Sequence, residues 1–204
     1  MSGVSGDGEG ERNCEDKRRR IKEEKEGERA EERGGDSKES KSRVRKNPAK
    51  TRTLEGEEWK DSDVVECVGC LEEANAFIGL ARVFSPSDRV RDLLLDVQKF
   101  MFRIGCEVSS GKKVVGWGDV EKLESIISSL EESVEIPHSF LILETSKETA
   151  FLNVARTVVR RAERRAVSLY RRERVGEELV QWLNRLNYMI YLLILLESEE
   201  RMEV

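Results

Sequence analysis

The sequence predicts an all-α fold, a five-helix up-and-down bundle behind a disordered, highly charged N-terminal tail. Three observations predict it. Between residues 57 and 204, apolar side chains recur at three- and four-residue steps, the period of one helix face. The breaks between these runs are short and carry the Gly, Pro, Ser and Asp residues that end and start helices. Residues 1–50, by contrast, hold few large apolar side chains, mainly Val4, Ile21 and Val44, within charge runs such as RRRIKEEKEGERAEERGG. Such a stretch buries too little apolar surface to offset the entropy of ordering it. Residues 1–56 are therefore assigned to the tail and 57–204 to the bundle.

The first helix carries Val65, Val68, Leu71, Ala74, Phe77, Ile78 and Ala81 on one face. SPSD at 85–88 breaks it and starts the second, with Ser85 or Ser87 as N-cap. That helix spans about Asp88 to Val108, with Val90, Leu93, Leu94, Val97, Met101 and Ile104 inward, and SSGKKVVGWGD ends it. Asp119 is expected to cap a third helix reaching Ser133, with Val120, Leu123, Ile126, Ile127 and Leu130 inward. VEIPHSFLIL at 134–143 reads as extended or irregular, because Pro137 disfavours helix at Ile136. Thr145 and Glu148 have capping-box spacing for a fourth helix to Arg172, and a fifth runs from Gly176 to Glu200. Short links between five helices imply an up-and-down bundle. They leave no doubly wound sheet for a Rossmann or Walker-type nucleotide fold, and SSGKK lacks the phosphate-loop spacing.

Charge and composition bound the partners. Residues 1–56 hold sixteen Lys/Arg against fourteen Asp/Glu, and the rest hold twenty against twenty-seven. This offers no general basic surface, so no nucleic-acid partner is expected. The longest apolar run, YMIYLLILL, has nine residues where a spanning helix needs about 20, so it reads as a buried helix end and no membrane partner is expected. The tail is too acidic for a transit peptide and lacks a secretory apolar stretch. With four cysteines and no export signal, a reducing, cytoplasmic setting is expected. Cys67 and Cys70 form a C-x-x-C, but with no second close pair and only His138 to add, a four-ligand metal site is not expected.

VARTVVRRAERR at 154–165 places five arginines in an otherwise acidic bundle. On a helix, Ala155, Val158, Ala162, Ala166 and Leu169 form one apolar stripe. Arg156, Arg160 and Arg164 form a row beside it, and Arg161 and Arg165 a second. Two readings follow. The arginines form a solvated face paired with acids on neighbouring helices, or they hold a polyanion, since guanidinium forks match phosphate oxygens and stay charged. Composition does not choose between them.

The segment resembles the signature helix of the PduO-type ATP:cob(I)alamin adenosyltransferases, V-A-R-T-x-x-R-R-A-E-R. KDSDVVECVGCLEEANAFIGLAR at 60–82 resembles that family's K-D-x-x-x-V-E-x-x-G-x-x-D-E-L-N-x-x-I-G, WLNRLN at 182–187 resembles its Y-L-N-R-L-S-D, and the spacing from Phe140 to the arginine helix is also kept. The resemblance spans roughly residues 58–198. It implies a homotrimer with active sites between subunits, which moves the 5′-deoxyadenosyl group of ATP, with Mg²⁺, onto cob(I)alamin as substrate and releases triphosphate. A reductase or an adenosylcobalamin-dependent enzyme is then an expected partner.

The implied roles fall on named residues. Lys60, Arg160, Arg161, Glu163, Arg164 and Asn184 match nucleotide-contacting positions, with Arg160 also placed in the catalytic set. Arg156 and Glu72 match a catalytic arginine–carboxylate pair across the subunit boundary, with glutamate here for the family's aspartate. Asn75 matches the asparagine of the same motif. Phe140 matches the aromatic that keeps the lower face of the corrinoid free of an axial ligand.

The departures also fall on named residues. The family's nucleotide loop, T-R-T-G-D-x-G-x-T, is reduced here to TRT at 51–53 followed by LEGEEWK, and SGDGEGER at 5–12 lies some fifty residues too early to supply it. The family's P-G-G is LET at 143–145, its S-D is Asn187 and Tyr188, and the histidine just before the arginine helix is Asn153. Two functions therefore stay open: a divergent adenosyltransferase, or a catalytically impaired paralogue that binds corrinoid or nucleotide in a chaperone, regulatory or structural role.

Overall fold

The structure, a computed structural model, describes residues 47–198 and the strand Met202–Glu203. The chain divides into two units, residues 1–60 and 61–204. In the first, β1 (Lys50–Thr53) and β2 (Gly56–Trp59) form an antiparallel hairpin in which Lys50 faces Trp59 and Thr53 faces Gly56. At the turn the Thr53 hydroxyl accepts the Glu55 N–H at 3.3 Å and donates to the Gly56 carbonyl at 3.1 Å. Gly56 has φ +130°, a conformation costly for residues with a β-carbon. Across the base the Lys60 N–H donates to the Ala49 carbonyl at 2.9 Å.

This corrects the expected boundary at 56/57, because regular structure begins inside the stretch assigned to the tail. The hairpin is short, four residue pairs with β-branched Thr51 and Thr53 on one strand, and a composition average over fifty residues hides it. Residues 1–46 of the expected tail lie outside the described residues.

The second unit is the five-helix bundle: α1 (Asp63–Phe84), α2 (Asp88–Ser110), α3 (Trp117–Glu131), α4 (Lys147–Tyr170) and α5 (Glu177–Glu197). Helix α1 packs on α4 and α2, α4 on α5, and α5 on α3. Ion pairs and hydrogen bonds fix the directions. Asp63 meets Arg172 and Glu66 meets Arg165, so α1 and α4 are antiparallel; Glu124 meets Arg185 and Glu131 meets Tyr188, so α3 and α5 run parallel. Most predicted inward residues fill the core, Ile78, Leu94, Ile104, Ile127 and Leu130 among them, joined by Leu152, Leu183 and Leu186, whereas Val65 is only partly buried and Cys67 and Cys70 take the buried positions at the start of α1.

Helix α5 is long and apolar enough to cross a membrane by length and composition, and 56% of that stretch is buried among the other helices. Carboxylates organise the loops. Buried Glu107 accepts the Val114 and Val115 N–H groups, both at 2.8 Å, and the Gly176 N–H at 2.9 Å, tying the end of α2 to the starts of α3 and α5.

Two helix starts differ from expectation. Asp119 lies inside α3 rather than at its cap, accepting the Gly116 N–H at 3.0 Å and pairing with Arg103 at 2.9 Å. Ser146 rather than Thr145 caps α4, and Thr149 replaces Glu148 as the reciprocal partner: its hydroxyl accepts the Thr145 and Ser146 N–H groups at 3.1 and 2.9 Å. The segment before α4 is extended as expected, with β3 (Leu141–Ile142) pairing antiparallel to β4 (Met202–Glu203).

Candidate active site on the arginine helix

Helix α4 places its arginines by burying the stripe between them. Ala155, Val158, Ala162, Ala166 and Leu169 are all buried, as their spacing predicts, and the three alanines let neighbouring helices approach closely. That fixes the azimuth of α4, so the two basic rows face different surroundings.

The second row faces α1 and is paired along its length. Arg161 is bonded to Glu73, Arg165 lies 3.1 Å from Glu66, and Arg172, just past the helix, is bonded to Asp63. Glu73 raises the pKa of Arg161, chiefly through its hydrogen bond. The outer row differs. Among the described residues the side chains of Arg160 and Arg164 make no ion pair, and both are exposed. Arg156, half-buried, donates its Nε–H to Asn153 Oδ1 at 2.9 Å, and Asn153 in turn donates to Glu144. Burial lowers the pKa of Arg156, nearby Arg160 lowers it further, and Glu144 opposes both.

Beside the outer row, Asn184 of α5 donates to Glu163 at 3.0 Å. Arg160, Glu163, Arg164 and Asn184 are thus brought onto one face across α4 and α5. Arg161 shares their helix but is turned toward Glu73. Glu72 is exposed and does not meet Arg156 within the chain. Asn75 accepts Gln98 Nε2–H on its backbone carbonyl at 3.2 Å, while its own Oδ1 is buried without a hydrogen-bond partner, as is Asn187 Oδ1 on α5. Phe140 is 88% exposed, so it is not the core residue that its apolar character alone would make it. Lys60 is exposed at the end of the hairpin unit.

The C-x-x-C lies in the core. Cys67 and Cys70 are free, buried thiols on α1, and burial, reinforced by Cys70, pushes the Cys67 pKa up to about 12. Among the described residues no three His, Cys, Asp or Glu side chains cluster to hold a metal ion. A cavity of about 210 Å³ opens between α2, α3 and α5, lined by Leu93, Val97, Phe100, Leu123, Trp182 and Met189 among others, with no residue of α4.

Sequence reasoning did not find the acids that neutralise the inner row. Asp63, Glu66 and Glu73 lie on α1 in the reverse order of Arg172, Arg165 and Arg161, a complementarity visible once the helices are taken as antiparallel. The Glu144–Asn153–Arg156 chain was also missed, and it needed the fold of the segment before α4.

The class the fold defines is a five-helix bundle that neutralises one arginine row of α4 and leaves exposed guanidinium groups, which suit anionic oxygens, on the other. The chain belongs to the cobalamin adenosyltransferase family, whose profile matches residues 45–197. It is 35% identical over 148 residues to the corrinoid adenosyltransferase of Bacillus subtilis, covering 67% of this chain and 75% of that protein. It is 30% identical over 143 residues to the corrinoid adenosyltransferase PduO of Salmonella typhimurium, but this match spans only 43% of that longer protein. In fold it resembles a variant of the PduO-type ATP:corrinoid adenosyltransferase of Lactobacillus reuteri complexed with cobalamin and ATP. There the TM-score is 0.69 at 23% identity, over 76% of this chain and 94% of that one.

Proposed function

We propose that this protein transfers the 5′-deoxyadenosyl group of ATP to cob(I)alamin, forming adenosylcobalamin and triphosphate. The observation that carries the reading is the open outer row, Arg160 and Arg164 with Glu163 and Asn184, on a helix whose other row is fully paired. Family membership supplies the two substrates. Co(I) donates its electron pair to the ribose C5′, the C5′–O bond breaks, and the pair leaves with triphosphate, so cobalt ends as Co(III). The protein need supply no nucleophile; it must align C5′ and stabilise charge on the leaving group.

Exposed guanidinium groups on a rigid helix suit that charge, and Glu163, held by Asn184, lies beside them on the same face. Mg²⁺ is expected to arrive with the triphosphate, since the described residues offer no cluster of their own and this ion is commonly held by substrate phosphates. Exposed Phe140 is assigned the lower face of the corrinoid, and Lys60 the phosphates. Exposed Glu72 is assigned to Arg156 of a second copy in a homotrimer, an arrangement supported by their failure to meet within one chain. A cytoplasmic setting, with a reductase supplying Co(I) and an adenosylcobalamin-dependent enzyme receiving the product, completes the reading.

One observation favours a second reading, an impaired paralogue that binds nucleotide or corrinoid without turnover. At the hairpin tip the Glu55 N–H is already taken by Thr53, and Glu55, Glu57 and Glu58 bring negative charge to the stretch that replaces the phosphate loop. The test mixes the protein with chemically reduced cobalamin and Mg-ATP and follows the cobalt–carbon product by its visible absorbance. Product formation supports the enzyme; its absence at high protein concentration sinks the first reading, and calorimetric titration with ATP or cobalamin then tests the second.

A further inference from the structure

Asn153 occupies the first half of α4 on the side of Arg156, three residues on. An arginine side chain only donates and an ionised carboxylate only accepts. A group between them must therefore accept on one side and donate on the other. The Asn153 carboxamide does both: Oδ1 accepts the Arg156 Nε–H at 2.9 Å and Nδ2 donates to Glu144. Glu144 lies four residues after exposed Phe140, just past β3, so the relay ties the arginine helix to the segment that carries Phe140. Arg156 needs such a hold, being half-buried and close to the like charge of Arg160.

We propose that Asn153 is a positioning residue: it fixes the direction of the Arg156 guanidinium and couples it, through Glu144, to the segment bearing Phe140. This rests on the adenosyltransferase reading, in which Phe140 meets the corrinoid and the relay fixes the segment that carries it against the arginine helix. The carboxamide does not titrate, so the relay holds at any physiological pH. A neutral imidazole offers the same pairing of one acceptor and one donor nitrogen, but imidazolium only donates and cannot take the Arg156 Nε–H. Among the described residues, Glu144 and Arg156 bond Asn153, and Arg160, Glu144 and Tyr191 act on Arg156; the proposed trimer adds Glu72 of a second copy.

The test compares wild type, Asn153→Leu and Asn153→His in steady-state kinetics, with the corrinoid and ATP varied separately. For Asn153→Leu, kcat/KM for the corrinoid is expected to fall about tenfold while KM for ATP stays within about twofold, since small misplacements near a reacting group are costly. Asn153→His should recover most of the loss at pH 8 and lose it again below about pH 6.5 relative to wild type. Sedimentation of all three proteins checks that assembly is the same. An Asn153→Leu protein that matches wild type, or an Asn153→His protein whose ratio to wild type is flat with pH, overturns this inference while the adenosyltransferase reading stands. A wild-type protein that neither turns over nor binds corrinoid overturns that reading, and this inference with it.

Discussion

The two arginine rows of α4 are built from one residue type on one helix, yet they have different surroundings. Arg161, Arg165 and the following Arg172 each meet an acid of α1, whereas Arg160 and Arg164 face outward with no ion pair among the described residues. The inner row therefore fits the reading of VARTVVRRAERR as a face paired with acids on a neighbouring helix, and the outer row is the part left open for the proposed anion site. What separates them is azimuth. The buried alanine stripe turns one row onto an acidic neighbour and leaves Arg160 and Arg164 exposed without an ion pair among the described residues, and cations so placed suit the proposed departing triphosphate.

Removing a charge from the outer row should have the largest effect. Arg160→Ala is expected to lower kcat/KM for ATP by about 10²–10³, the scale for losing one donor to a developing anion. Thermal unfolding should barely change, because the side chain is exposed and holds no acid. An unchanged rate, read by the same absorbance assay, would remove the row from the chemistry. Next in size is Phe140→Ala. Its ring is 88% exposed and adds little to the core, so stability should hold while turnover with cobalamin falls roughly 100-fold, about 2.7 kcal/mol. ATP affinity measured by calorimetry should not move. A parallel loss of stability would make Phe140 a structural residue after all.

How much of this contrast was legible in the sequence depends on distance along the chain. The apolar stripe of α4 and the division of its arginines into two rows follow from helical period alone, and the structure keeps both. Ser87 as the cap of α2 was also legible, because the cap and the helix it starts are neighbours. Helix starts failed where two local partners competed. Thr145 with Glu148 has the spacing of a capping box, but the Ser146 and Thr149 hydroxyls form the reciprocal pair one residue later. That the arginines could pair with acids on a neighbouring helix was legible, but which acids was not, since Arg161 and Glu73 lie 88 residues apart and meet only through the packing of α1 on α4. The hairpin at Lys50–Trp59 was hidden for the opposite reason, a short ordered stretch beside a long charged one.

Arg161 sharpens the comparison, because the family resemblance places it on the nucleotide while the structure turns it toward Glu73. If the structural placement governs, Arg161→Ala and Glu73→Gln should behave alike, each raising KM for ATP by less than about tenfold as α4 loses part of its hold on α1. An effect of Arg161→Ala approaching that of Arg160→Ala, with Glu73→Gln silent, would move Arg161 to the outer, ligand-facing set.

The smallest effect belongs to Arg165 and Glu66, 3.1 Å apart with both side chains about half exposed, at 49% and 48%. A pair so placed gains modest Coulomb energy in high dielectric and loses side-chain freedom, so its coupling should be about 0.2–1 kcal/mol. A double-mutant cycle of Arg165→Ala and Glu66→Ala, followed by thermal unfolding, isolates that term. For a chain of this size it corresponds to a shift of at most about 2–4 °C, and it should shrink as salt rises. Turnover should be unaffected in all three variants. A rate loss in Arg165→Ala alone would mean that the inner row also reaches the substrate, and the division between the rows would no longer hold.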